Sequence, residues 1–148
     1  MRDLINEWKQ HGAVYVWRYR RPNRARSGWH FSANLPGGRS LCQLLDRMKG
    51  GDGCYRTLKL GSVTENIWNV PNFGQPKNDA FTSMRVEFCP DFDDLELQEV
   101  DGRLVLKLGN NRIDMLRAAF AEVEIGKGDF GISTSDRRNP EIWMFWWN

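Results

Sequence analysis

No stretch of this sequence approaches the ~20 consecutive apolar residues that a membrane-spanning helix needs. The first ten residues, MRDLINEWKQ, carry neither the apolar core nor the small-residue cleavage pattern of a secretory signal. A cytoplasmic protein with no membrane role is therefore expected. Cysteine is scarce. Cys42, Cys54 and Cys89 form an odd set without repeated spacing, which fits reduced thiols rather than a disulfide framework. Histidine is scarcer still, with only His11 and His30. No C-x-x-C or H-x-x-x-H pair is present, so the usual structural zinc spacings are missing.

Other familiar chemistries fail on inspection. Gly126-Lys127-Gly128 lacks the Ser/Thr and the upstream glycine of a phosphate-binding P-loop. Asp129-Phe130-Gly131 spells a kinase tripeptide in a chain far too short for that enzyme. The acidic run Asp91, Asp93, Asp94, Glu96 fails the EF-hand pattern, because Glu96 stands where glycine is required and Leu95 where a ligand is required. The run reads as a solvated turn, as the complement of basic residues elsewhere, or as ligands for a divalent ion outside that pattern. Cys42 lies beside an apolar helical stripe, where a thiol serves as a small hydrophobe. No cofactor is expected.

Aromatic residues and an uneven charge are what the sequence does have. Seven Trp and eight Phe supply a large apolar area for 148 residues, enough for one domain with its own core. The net charge of +2 hides a split. Residues 1–60 hold 12 Lys and Arg against 4 Asp and Glu, whereas residues 61–148 hold 9 against 15. Such asymmetry marks a basic binding face, or two halves that attract each other within one fold or across a dimer.

The positive charge is densest in residues 13–34, AVYVWRYRRPNRARSGWHFSAN, which read as two strands joined by a basic loop. Alternation puts Tyr15, Trp17 and Tyr19 on one face and Val14, Val16, Arg18 and Arg20 on the other. In the second strand Trp29, Phe31 and Ala33 oppose His30, Ser32 and Asn34. The simplest pairing joins the two aromatic faces over a core and leaves Arg18, Arg20 and His30 toward solvent or a partner. Arg21, Arg24 and Arg26 lie in the loop, whose Pro22-Asn23 and Ser27-Gly28 are turn formers. Arginine and aromatics are enriched at protein interfaces. A protein partner with an acidic surface, or self-association, is accordingly the first reading of this site. Nucleic acid bound through the same residues is the second, although no recognition motif accompanies the charge.

Further along, Leu4, Ile5 and Trp8 suggest a short helix stopped near Gly12. Ser40 with Gln43 looks like a capping box, followed by the stripe Leu41, Leu44, Leu45 and Met48 and a stop at Gly50-Gly51. The junction Gly37, Gly38, Arg39, Ser40 joins a strand to a helix start, so it is a candidate anion site for a small enzyme; an ordinary capped turn is the simpler reading. Residues 54–60 and 84–89 read as strands, Ile67, Trp68 and Val70 as a short strand, and residues 71–79 as an irregular loop. The pair 94–100 and 103–108 is the clearest hairpin. Its two-residue Asp101-Gly102 turn fixes a register with Leu97 opposite Leu106, Leu95 opposite Leu108, and Glu96 opposite Lys107. Asn110 or Asn111 caps a second helix striped by Ile113, Leu116, Phe120 and Val123. A final strand carries Trp143, Phe145 and Trp147 on one face and Ile142, Met144 and Trp146 on the other. A strand apolar on both faces is buried on both; the rival is a homodimer contact made by Trp143, Phe145, Trp146 and Trp147. A strand leading directly into an amphipathic helix occurs twice, at residues 29–48 and 104–123, as a repeat would have it, but with little sequence match.

Together these patterns predict a single α+β domain: a mainly antiparallel twisted sheet of about six to eight strands, with two amphipathic helices on one face. The expected function is a non-enzymatic protein-binding module.

Overall fold

The computed structural model describes residues 2–20, 28–68, 74–76, 81–124, 130–133 and 142–146. In chain order these form α1 (Arg2–Glu7), β1 (Val14–Trp17), β2 (His30–Ala33), α2 (Leu35–Met48), β3 (Cys54–Lys59), α3 (Glu65–Trp68), β4 (Ser83–Phe88), β5 (Leu95–Val100), β6 (Arg103–Leu108), α4 (Asn110–Glu124), β7 (Phe130–Ser133) and β8 (Ile142–Phe145).

The strands make two four-stranded mixed sheets, β1-β2-β8-β7 and β3-β4-β6-β5, and not the single antiparallel sheet expected. In each, a central parallel pair (β2 with β8, β4 with β6) is flanked by antiparallel neighbours. The parallel pairs join strands that are not consecutive in sequence, which no turn signal announces. Among the described residues one parallel bridge, Val14 to Leu60, connects the sheets, with Gly61 N–H donating to the Val14 carbonyl.

The two sheets are built alike. β1 and β2 form an antiparallel pair whose second strand feeds α2; β5 and β6 do the same for α4. β8 and β4 occupy the equivalent parallel positions, and β7 and β3 the equivalent edges. The repeat hinted at by the two strand–helix junctions is therefore real in the backbone. It is circularly permuted, because one copy takes its last two strands from the end of the sequence.

α2 begins five residues before the expected cap. Asn34, extended at ψ 171°, is the N-cap, and its side chain accepts from Gly37 N–H. Pro36 is tolerated in a first helical turn, where its missing N–H has no intrahelical partner to lose. Leu41, Leu44, Leu45 and Met48 are buried as the stripe predicts. α4 packs against α2 and reaches the first sheet, where Phe120 meets Phe31 and Phe145 edge-on. One continuous hydrophobic core takes side chains from both sheets and from α1, α2 and α4. Salt bridges Lys49–Asp114 and Arg117–Asp46 tie α2 to α4 across its surface.

The hairpin of β5 and β6 has the register that its turn predicts, with Asp101 and Gly102 at φ 53° and 77°. Ile67 and Trp68 lie in the four-residue α3 rather than a strand. With Val63 they cover the outer face of the first sheet and make a second apolar cluster there with Trp17 and Tyr19. The outer face of the second sheet stays open, showing Tyr55, Thr57, Lys59, Gln98 and Val100.

Candidate binding surfaces

The antiparallel register places Val14 opposite Ala33, Val16 opposite Phe31, and Trp17 opposite His30. Valines therefore share a face with Trp29 and Phe31, and the expected joining of the two aromatic faces is corrected. Both faces of β1 are buried: Val14 and Val16 in the main core, Trp17 and Tyr19 under α3. Trp29 and Phe31 are core, as expected, and Tyr15 is half-buried.

His30 consequently does not face solvent. It is 0% exposed, with its ring stacked on Trp17 and Trp146 and meeting the Tyr19 ring edge-on at 4.7 Å. Its Nδ1 accepts from Trp146 Nε1 at 2.9 Å, so Nε2 carries the proton of the neutral ring. Arg18 is half-buried. Its guanidinium lies 4.2 Å from the Trp29 ring centroid, and Nη2 pairs with Glu99 at 3.0 Å, tying the two sheets together. Arg20 is the exposed member of the trio. Its main-chain N–H donates to Gln75 O and its Nε to Pro76 O. Arg21, Arg24 and Arg26 lie outside the described residues.

The Tyr19 hydroxyl donates to Trp68 O at 2.8 Å and so pins α3 onto the first sheet. Burial pushes its phenol up to about 12 from 10.0, against a smaller lowering by the Trp17 indole. A raised folded-state pKa means that the neutral phenol's contribution is complete below pH 10 and is lost as pH rises toward 12. Alkaline titration followed by phenolate absorbance should show a late-ionising tyrosine that disappears in Tyr19→Phe, with unfolding beginning in that window. A Tyr19→Phe variant with an unchanged late phase would assign it elsewhere.

The candidate anion site is occupied by the fold itself. Gly37 and Gly38 sit buried in the first turn of α2. Gly37 N–H donates to Asn34 Oδ1 and Gly38 N–H to Asn34 O, so those amides are already satisfied. Ser40 is no cap: its hydroxyl bonds His11 O and Gly37 O. Arg39 is exposed and lines a shallow cleft of about 440 Å³ with His11 and Gln43.

The aromatic strand β8 is central, between β2 and β7. Trp143 and Phe145 are 0% exposed, which removes them from the expected dimer contact and supports intramolecular burial. Trp146 is half-buried against His30; Trp147 lies outside the described residues. In the acidic run, Asp93 accepts from Asn111 and Asp94 from Leu95 N–H. Among the described residues no group of three metal-ligating side chains forms. The cysteines are free thiols; burial, with Asp52 and Cys89 nearby, pushes the Cys54 thiol up.

Sequence reasoning missed a cleft of about 560 Å³ between α1 and β3, with Ile5 and Asn6 on one side and Tyr55, Arg56 and Thr57 on the other. β3 is an edge strand, and only its neighbours in space, not its residues, reveal that. Among the described residues no helix is long and apolar enough to cross a membrane. The chain matches no family model, no curated protein and no solved structure.

Proposed function

We propose that the protein is a non-enzymatic, cytoplasmic protein-binding module that presents its Arg-rich hairpin to an acidic surface of a partner. The observation that carries this reading is the rooting of the basic loop. Arg20 is exposed at its start yet held by two hydrogen bonds to Gln75 and Pro76, and Trp29 is buried at its end. A charged loop on fixed stems suits recognition, since function concentrates on loops that a rigid scaffold positions. The reading is also supported by the state of two polar side chains of the hairpin: His30 is sealed among aromatic rings, and Arg18 is paired with Glu99. The three free thiols fit a reducing compartment.

Replacing Arg20, Arg24 and Arg26 together by Ala should cost about 0.5–1.5 kcal/mol, the scale of the lost hydrogen bond from Arg20 Nε to Pro76 O, and remove the captured partners in a cross-linked pull-down. An unchanged partner set would count against the hairpin. Random-sequence RNA and DNA serve as the control, by fluorescence anisotropy at low and high salt. Tight binding at low salt that collapses at high salt would transfer the site to nucleic acid.

A further inference from the structure

We infer that the open edge of β3 is a docking site for an extended segment of a partner protein, added to the second sheet as a fifth strand. Main-chain direction alternates along a strand. Leu60 N–H points to β4, donating to Thr82 O, as does the ladder of Cys54, Arg56 and Leu58 with Phe88, Val86 and Met84. Lys59 points the other way. Its N–H donates to Gln10 Oε1 and its carbonyl accepts from Gln10 Nε2, both at 2.8 Å. The Gln10 amide thus pairs with the edge as a peptide group of a neighbouring strand would. Stepping back by two residues, Thr57 and Tyr55 turn their N–H and C=O groups to the same side. No described residue is bonded to them, and they open onto the 560 Å³ cleft beside α1. That is an edge closed at one end and vacant for the next four main-chain groups, the arrangement that strand addition uses.

The flanking side chains state what the occupant carries. On the inner side the added strand runs beside Arg56, whose guanidinium is anchored by Nη2 to Trp8 O and lines the cleft. On the outer side it runs beside Tyr55, 55% exposed, with the Arg85 guanidinium 3.7 Å from its ring centroid. Acidic side chains on one face and apolar ones on the other match this pair. Arg56 is the charged residue among those that line the cleft, which favours an acidic partner on that side. A second copy fits less well, because its own β3 edge is flanked by α1 and Gln10, which would have to enter the same space. The residues that line the cleft, Ile5, Asn6 and 53–57, include none of the basic hairpin, so this surface is separate from it.

The test uses the full chain and a fluorescein-labelled heptapeptide of alternating Glu and Val, followed by anisotropy. Saturable binding is expected. Thr57→Pro removes an edge-facing N–H without touching the β4 ladder, a position where strands accept proline. It should weaken binding at least about tenfold, the loss of roughly one main-chain hydrogen bond. Thr57→Val should bind as the parent does. N-methylating the peptide on its edge-facing amides should abolish binding, and this arm decides the matter should Thr57→Pro fail to fold by circular dichroism. The Arg20, Arg24 and Arg26 triple-Ala variant should bind undiminished. The proposal is overturned by absence of binding, by an N-methylated peptide binding as well as its parent, or by self-association of the chain that Thr57→Pro abolishes. Loss of peptide binding in the triple variant alone would overturn it too, and would move the contact to the hairpin.

Discussion

Gly37→Ala should destabilise the protein by about 3 kcal/mol or more, the upper range for forcing atoms into a packed site. A Cβ at this position would stand 2.0 Å from the Ala13 carbonyl oxygen and 2.6 Å from its carbon. Those are backbone atoms, so no rotamer change relieves the overlap. Nor can Ala13 move away, since its N–H donates to Asn34 Oδ1 and its carbonyl accepts from Asn34 N–H. The first turn of α2 is thereby pressed on the residue that leads into β1, and only glycine permits the distance. Gly109 plays the same part at the start of α4, with a Cβ falling 2.1 Å from Phe92 O. Gly53→Ala is the control: its nearest contact would be an ordinary 3.6 Å from Phe88 O. Urea unfolding of the three variants should rank Gly37→Ala and Gly109→Ala far below Gly53→Ala. Equal midpoints for all three would show that the two strand–helix junctions are not as close as described.

His30→Ala should cost about 3–4 kcal/mol, the scale of truncating a large buried ring. The imidazole fills the centre of a stack between Trp17 and Trp146, and its removal also withdraws the acceptor from Trp146 Nε1. A lost buried partner adds about 1–3 kcal/mol in an unrelaxed site. His30→Phe restores the ring but not the acceptor and should recover roughly half of the loss. Tryptophan fluorescence during urea unfolding reads both. If Phe proves no better than Ala, the hydrogen bond outweighs the stack; if Ala is nearly neutral, the cluster under α3 contributes little to stability.

Where a local rule had one answer, the sequence was enough. Asp101-Gly102 admits a two-residue turn with both φ positive, and the register of β5 and β6 followed residue by residue. A strand apolar on both faces had to be covered on both, and β8 is central. The first hairpin offered no such constraint. Both faces of β1 are apolar, so alternation alone cannot say which one meets Trp29 and Phe31. A long connection leaves register free where a two-residue turn would fix it. Alternation accordingly puts His30 outside, whereas it lies at the centre of a cluster whose cover comes from α3 and the segment around Pro76, over thirty residues away. Leu35-Pro36-Gly37-Gly38 looked like a turn because its glycines answer a tertiary demand, the proximity of Ala13, which only the folded chain displays. The open edge of β3 was invisible for the same reason.

The permuted repeat has a consequence for how the chain is made. β3 to α4 is one uninterrupted stretch, so the second sheet and its helix are complete when residue 124 has emerged from the ribosome. The first sheet is split. β2 must wait for its parallel neighbour β8 through roughly 110 residues of synthesis, on the order of ten seconds at ~5–20 residues per second. During that interval Phe31 lacks the cover of Trp143 and Phe145, and the long-range pairing carries the loop-closure entropy of roughly 110 residues. Translation therefore leaves an aromatic strand edge without its parallel neighbour until β8 has been made.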